Sequence, residues 1–126
     1  MKKRILIVED EEQMIEMLKI RLEANGYEVL SAVDGKQGLE KAQREAPDLI
    51  ILDLMIPKMD GFKVCGLLKK DARYARIPII MFTARAQESD KRMGEEVGAD
   101  AYLTKPFEPK ALVAKIEELL NASASA

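Results

Sequence analysis

The sequence predicts an α/β fold, a three-layer sandwich with a parallel five-stranded sheet between two layers of helices. Two observations lead there. Short apolar runs recur at regular spacing, at 4–8, 27–32, 48–52, 78–82 and 100–104, with so few polar interruptions that they suit strands buried on both faces. Between them lie segments whose apolar residues repeat at helical spacing. Strand alternating with helix implies right-handed crossovers and helices on both sides of one sheet.

Each element has its own signal. Ile5-Leu6-Ile7-Val8 forms the first strand and runs into Glu9-Asp10. Met14, Ile15, Leu18 and Leu22 make one helical stripe, which Asn25-Gly26 stops. The second strand follows at 27–32, and Asp34-Gly35 opens a helix carrying Leu39 and Ala42 that Pro47 ends. Leu49-Ile50-Ile51-Leu52 runs into Asp53, and Asp60-Gly61 opens a third helix with Val64, Leu67 and Leu68 inward. Ile79-Ile80-Met81-Phe82 runs into Thr83, and a fourth helix spans about Glu88 to Val97 before Gly98. Ala101-Tyr102-Leu103-Thr104 runs into Lys105-Pro106. Pro109 sits in the first turn of a fifth helix, whose stripe is Leu112, Val113, Ile116, Leu119 and Leu120. Residues 121–126 lack apolar periodicity and read as a frayed tail or linker stub. One domain over 1–120 is expected, with no output domain inside the sequence.

Bulk properties exclude several functions. A chain of 126 residues with 48% hydrophobic and 33% charged residues suits one soluble domain. Its net charge of −2 argues against direct nucleic acid binding, because phosphate backbones call for a basic face. No apolar stretch approaches a membrane span, and the run after Met1-Lys2-Lys3-Arg4 is too short for a signal peptide. The single Cys65 forms no internal disulfide and reads as a small buried hydrophobe, so a cytoplasmic location is expected. Histidine is absent, which removes Ser-His-Asp triads, Cys-His pairs and imidazole metal sites. Any metal must be held by oxygen, which favours Mg2+, with Mn2+ as a substitute.

The chemistry gathers where strands end. In a parallel sheet the carboxyl ends share one edge, and ligands bind there at the point where strand order reverses. With the first strand central, Glu9 and Asp10 lie beside Asp53. Clustered carboxylates repel one another unless they share a cation, and a bound divalent ion points to a phosphoryl group as its companion. An aspartate can attack phosphorus to form an acyl phosphate, and such a site must supply positive charge. Lys105 and the metal would supply it, while the Thr83 hydroxyl and the Ala84 N–H could reach phosphoryl oxygens. Asp53, flanked by apolar neighbours, is the best candidate acceptor. Each residue alone has a plainer reading: Glu9-Asp10-Glu11-Glu12 as a helix cap, Asp53 as a turn residue, Thr83 as a strand-end hydroxyl, Lys105 as a solvated lysine, Tyr102 as a core-edge aromatic. Their arrival at one sheet edge favours the phosphoryl site.

These motifs together resemble the receiver domain of two-component response regulators. The residues that carry the resemblance are Ile5 to Glu11, Asp48 to Pro57 with Asp60-Gly61, Pro78 to Ala84, Gly98-Ala99-Asp100 and Tyr102 to Phe107. The resemblance implies a flavodoxin-like (βα)5 fold of strand order 2-1-3-4-5. It implies that Asp53 accepts a phosphoryl group from a sensor histidine kinase or histidine phosphotransferase. It places Mg2+ on Asp10, Asp53 and the Met55 carbonyl, with Glu9 helping directly or through water. It makes Thr83 and Tyr102 a coupled switch, gives Lys105 the phosphate contact and suggests a cis Lys105-Pro106 peptide.

On that reading the charge of the phosphoryl group draws Thr83 inward and Tyr102 follows. The face of the fourth helix, fifth strand and fifth helix then changes for an effector protein or output domain. Glu9 stands where many members carry aspartate. Ala101 and Ala111 stand where many dimerising members carry acids, so a monomer or a weak phosphorylation-dependent dimer is expected. Met55 and Arg85 are the neighbours that tune acyl-phosphate lifetime, and here they imply a moderate to long one. Catalysis would be limited to the domain's own phosphorylation and dephosphorylation. The alternatives are a phosphohydrolase with an aspartyl nucleophile, a flavin-binding flavodoxin relative and a phosphorylation-independent scaffold. The first would show an Asp-x-Asp after the first strand and a cap insertion. The second would replace the acids there with a glycine- and hydroxyl-rich loop.

Overall fold

Aliphatic residues fill the central strands because helices cover both of their faces. A computed structural model describes residues 2–84 and 88–125. The strands are β1 (Arg4–Val8), β2 (Glu28–Ala32), β3 (Leu49–Asp53), β4 (Ile79–Thr83) and β5 (Ala101–Thr104), all parallel, in the order β2-β1-β3-β4-β5. Every residue of β3 and β4 is buried, as the uninterrupted apolar runs require. Both strands begin and end about one residue later than expected, so Asp53 and Thr83 are the last residues of their strands rather than the first beyond them. The sheet therefore follows the flavodoxin-like order, with its reversal between β1 and β3.

The helices are α1 (Glu12–Ala24), α2 (Gly35–Glu45), α3 (Gly61–Lys70), α4 (Glu88–Glu96) and α5 (Pro109–Ser125). Alternate strand residues point to opposite layers. Leu6, Val8, Ile50 and Leu52 pack with Ala42 of α2 and with Val64, Cys65 and Leu68 of α3. Ile5, Ile7, Ile51 and Phe82 pack with Leu18 and Leu22 of α1 and with Leu112 and Ile116 of α5. The two buried positions of α4 are Asp90 and Gly94. A Cβ at Gly94 would lie 3.2 Å from the ring of Tyr102 and 3.4 Å from the Met81 sulfur, so the helix rests its backbone on that ring.

Two helical expectations need correction. Leu67 of α3 does not point inward: it is 43% exposed, because Val64, Cys65 and Leu68 already occupy the buried stripe. The fifth helix continues through Ser125 instead of fraying at 120. Alanine and serine carry no apolar stripe, yet alanine is the strongest helix former and an existing helix propagates readily.

Charges close the amino-terminal edge of the sheet. Asp48 Oδ2 accepts the Arg4 N–H at 2.8 Å, and Asp100 Oδ2 accepts the Ile79 N–H at 2.8 Å. Lys69 Nζ pairs with Asp100 at 2.8 Å and also donates to the carbonyls of Ala75 (3.1 Å) and Ile77 (2.7 Å).

Candidate functional site: an acidic cluster at the carboxyl edge

Parallel pairing aligns β1 and β3 so that Val8 lies opposite Leu52, and the residues after them emerge side by side. Carboxylate oxygens of Glu9, Asp10 and Asp53 lie within 4.8 Å of one another. Asp10 is exposed, whereas Glu9 is fully buried and Asp53 nearly so. Among the described residues, one cation answers them: Lys105 Nζ sits 2.9 Å from Glu9 Oε1 and 3.2 Å from Asp53 Oδ2. It also stands 4.7 Å above the ring of Phe82, which packs edge-on against Phe107 at 5.9 Å. That aromatic shelf keeps the ammonium over the acids rather than in solvent.

The Asp53 carboxylate is held at both ends. Oδ2 accepts from Lys105, and Oδ1 accepts the Met55 N–H at 3.0 Å. Thr83 reaches the same edge by register, since Asp53 pairs with Phe82 and Thr83 is the next residue. It is fully buried, and its carbonyl accepts the Lys105 N–H at 2.7 Å. Ala84 follows it at the exposed mouth, and Met55 lies exposed on the other side. Arg85 lies outside the described residues. Tyr102 is not at the acids: it pairs with Met81 two residues before the end of β5, half-buried with its ring against Gly94. The Lys105-Pro106 peptide is cis, as expected.

The electrostatics suit a cation. Burial first, and then the Asp53 carboxylate, push Glu9 up to about 8 against the pull of Lys105. For Lys105, burial favours the neutral amine, but its hydrogen bond to Glu9 and the charges of Asp53 and Glu9 outweigh that and raise it above its ordinary value. Glu9 Oε2 is buried without a hydrogen-bond partner. A buried carboxylate oxygen beside two further carboxylates offers oxygen ligands only, and the residues present fit a hard divalent ion. The helix-cap reading holds only for the acids further on, since Glu11 stands at the N-cap of α1 without a side-chain capping bond and Glu12 lies in its first turn; it does not account for Glu9 and Asp10 beside Asp53.

Sequence reasoning missed two contributors. Phe82 was legible only as core, although its ring supports Lys105. Gly61 reads as a helix opener, yet a Cβ there would lie 2.6 Å from the Asp53 carbonyl oxygen. The backbone at the start of α3 therefore approaches the end of β3 more closely than any side chain allows.

A doubly wound parallel sheet with three acids and one lysine at its carboxyl edge defines a class, and comparison confirms it. The response regulator receiver domain matches residues 5–117, and the chain belongs to that family. Among its relatives, the alkaline phosphatase synthesis transcriptional regulatory protein PhoP of Bacillus subtilis is 46% identical over 98% of this chain and 50% of its own length. The DNA-binding dual master transcriptional regulator RpaA of Synechocystis is 49% identical over 94% of this chain and 49% of its own. A CheY-like response regulator receiver domain protein from Methanospirillum hungatei superposes with a TM-score of 0.94 at 34% identity, covering 99% of this chain and 98% of that one. The chain spans about half the length of the transcriptional regulators it matches. Their names do not support the expectation that nucleic acid has no direct part. A net charge read over these residues cannot speak for the half of the relatives that lies beyond the match. Among the described residues, no helix is long and apolar enough to cross a membrane.

Proposed function

We propose that this receiver domain accepts a phosphoryl group on Asp53 from a phosphohistidine of a sensor kinase or a histidine phosphotransferase. The observation that carries the reading is the cluster itself: three carboxylates within 4.8 Å, one lysine between two of them, and a buried Glu9 oxygen left without a partner. Such an arrangement lowers stability and is retained where a cation and an anion are to be handled. In the transfer, an Asp53 oxygen forms a bond to phosphorus as the phosphorus–nitrogen bond breaks, and the imidazole leaves with a proton.

Glu9, Asp10, Asp53 and the Met55 carbonyl would hold Mg2+, or Mn2+ in its place, and the ion would neutralise charge on the transferred group. Lys105, already over Asp53, moves its contact to a phosphoryl oxygen, and the Thr83 hydroxyl and Ala84 N–H supply the other two. Drawing Thr83 toward the acceptor opens room on the β4–β5 side, where Tyr102 supports α4, so the α4-β5-α5 face changes for its partner. The domain turns over no separate substrate; it catalyses only its own phosphorylation and dephosphorylation. Because its relatives are transcriptional regulators, the downstream partner is a DNA-regulating effector or output domain, reached as a monomer or a weak phosphorylation-dependent dimer. Met55, exposed beside Asp53, shields the acyl phosphate and gives it a moderate to long lifetime.

The test is Mg2+-dependent labelling by acetyl phosphate. Wild-type protein should gain one alkali-labile phosphoryl group, and Asp53→Asn should gain none. Undiminished labelling of Asp53→Asn would overturn the assignment.

A further inference from the structure

The loop from Leu54 to Asp60 supplies the Met55 N–H that orients Asp53, and it is braced from the start of α2. Gly35, the first residue of α2, donates its N–H to the Pro57 carbonyl at 3.1 Å, and Met59 N–H shares that same carbonyl at 2.8 Å. A Cβ built on Gly35 would fall on the Met59 carbonyl oxygen and stand 2.7 Å from the Met59 carbonyl carbon. Two of the three obstructing atoms are backbone and the third is the Met59 Cβ, which is fixed to that backbone, so no rotamer change could relieve the clash. Gly35 is needed there for close approach and not for a positive φ. Around it, Asp34 caps α2 by accepting the Gln37 N–H at 2.8 Å and pairs at 3.7 Å with Lys58, whose φ of +68° turns the loop back toward α2.

We propose that Gly35 is a positioning residue for the acceptor loop: the backbone contact it permits between the start of α2 and Pro57–Met59 sets where the Met55 N–H meets the Asp53 carboxylate. Any side chain at 35 lifts the loop off α2. The displacement passes along Ile56 and Met55, so Oδ1 of Asp53 loses its fixed donor while Glu9, Asp10 and Lys105 stay in place. The inference rests on the phosphoacceptor reading for its consequence, but its geometric half can be read without any phosphoryl transfer.

The experiment compares Gly35→Ala with Gly26→Ala. Gly26 has a φ of +90° and nothing within 4 Å of a Cβ built on it, so its substitution costs stability by backbone strain alone, away from the loop. In Gly35→Ala the Met55 and Leu54 amide resonances of the metal-free protein should shift. The Mg2+ titration midpoint should rise several-fold, and acetyl phosphate labelling should slow on the order of tenfold to a hundredfold, as small misplacements of reacting groups do. Gly26→Ala should change none of these. If Gly35→Ala does not fold, Asp34→Ala, which loosens the same first turn, should give the same amide shifts and a slowing of roughly threefold.

Wild-type labelling rates and unmoved Met55 resonances in the folded Gly35→Ala, or in Asp34→Ala should that variant be needed, would overturn the proposal. Equal slowing in Gly26→Ala at matched stability would also overturn it. Failure of the wild type itself to label would instead sink the phosphoacceptor reading.

Discussion

At the amino end of the sheet, Asp48 and Asp100 each accept the N–H that opens a neighbouring strand, and Lys69 completes Asp100. At the carboxyl end, Glu9, Asp10 and Asp53 crowd together, Lys105 pairs with Glu9 and Asp53, and among the described residues the buried Glu9 Oε2 finds no hydrogen-bond partner. The difference follows from backbone polarity. Parallel strands leave N–H donors at their amino ends and carbonyl acceptors at their carboxyl ends, so acids are matched at the first edge and misplaced at the second. Acids at the amino edge hold the fold together. Those at the carboxyl edge crowd like charges together and weaken it.

The largest effect expected from this contrast is catalytic. Lys105→Met should slow acetyl phosphate labelling on the order of a hundredfold or more, as loss of a charge-stabilising donor does. Lys69→Met, an equally buried lysine at the opposite edge, should label within roughly twofold of wild type. Comparable slowing in Lys69→Met would erase the distinction between the two edges.

Stability should then move in opposite directions. Asp100→Asn loses its ion pair with Lys69 and weakens the bond from the Ile79 N–H, which should cost about 1–3 kcal/mol in urea unfolding. Glu9→Gln should instead stabilise the metal-free protein at pH 8.

The pH dependence has a definite sign. Glu9 in the folded protein is raised from its ordinary 4.5 to about 8. Between those values the folded state keeps a proton that the unfolded state has released, so stability falls as pH rises through that window. The melting temperature of the metal-free protein should drop by several degrees from pH 5 to pH 8. Saturating Mg2+ or Glu9→Gln should flatten the slope; a flat profile in the metal-free wild type would contradict the raised Glu9.

The last effect sharpens the quiet end and leaves both function and stability untouched. Burial pushes the Cys65 thiol from its ordinary 9.0 up to about 11, with Lys69 pulling it down and Asp100 up. At pH 8 it should react with a disulfide reagent at least about 100-fold more slowly than in denaturant, since the lost thiolate and the complete burial of the sulfur both retard it. Rapid reaction in the native protein would mean that the Lys69–Asp100 edge opens often.

Much of this was legible because the informative residues announce themselves by type and place. Ile5–Val8, Leu49–Leu52 and Ile79–Phe82 could only be buried strands, and acids, threonine and lysine after such runs have one edge on which to meet. What stayed hidden depends on contacts between distant segments. Lys69 looks like any helix-end lysine until three acceptors converge on it. Gly35 looks like a helix opener until the Met59 carbonyl fills the space where its side chain would be. The Ala/Ser stretch at 121–125 defeated a reading based on apolar periodicity, because that criterion ignores intrinsic propensity.

One consequence remains in α4. Its buried positions are an aspartate and a glycine, so it grips the molecule without driving any large aliphatic knob into the layer beneath. Sliding or tilting this segment uncovers little hydrocarbon, and the free-energy gap between alternative seatings is correspondingly shallow. Under the proposed switch, a modest tug on the neighbouring ring would suffice to reseat an entire helix and let one small covalent event be felt across a whole face of the domain.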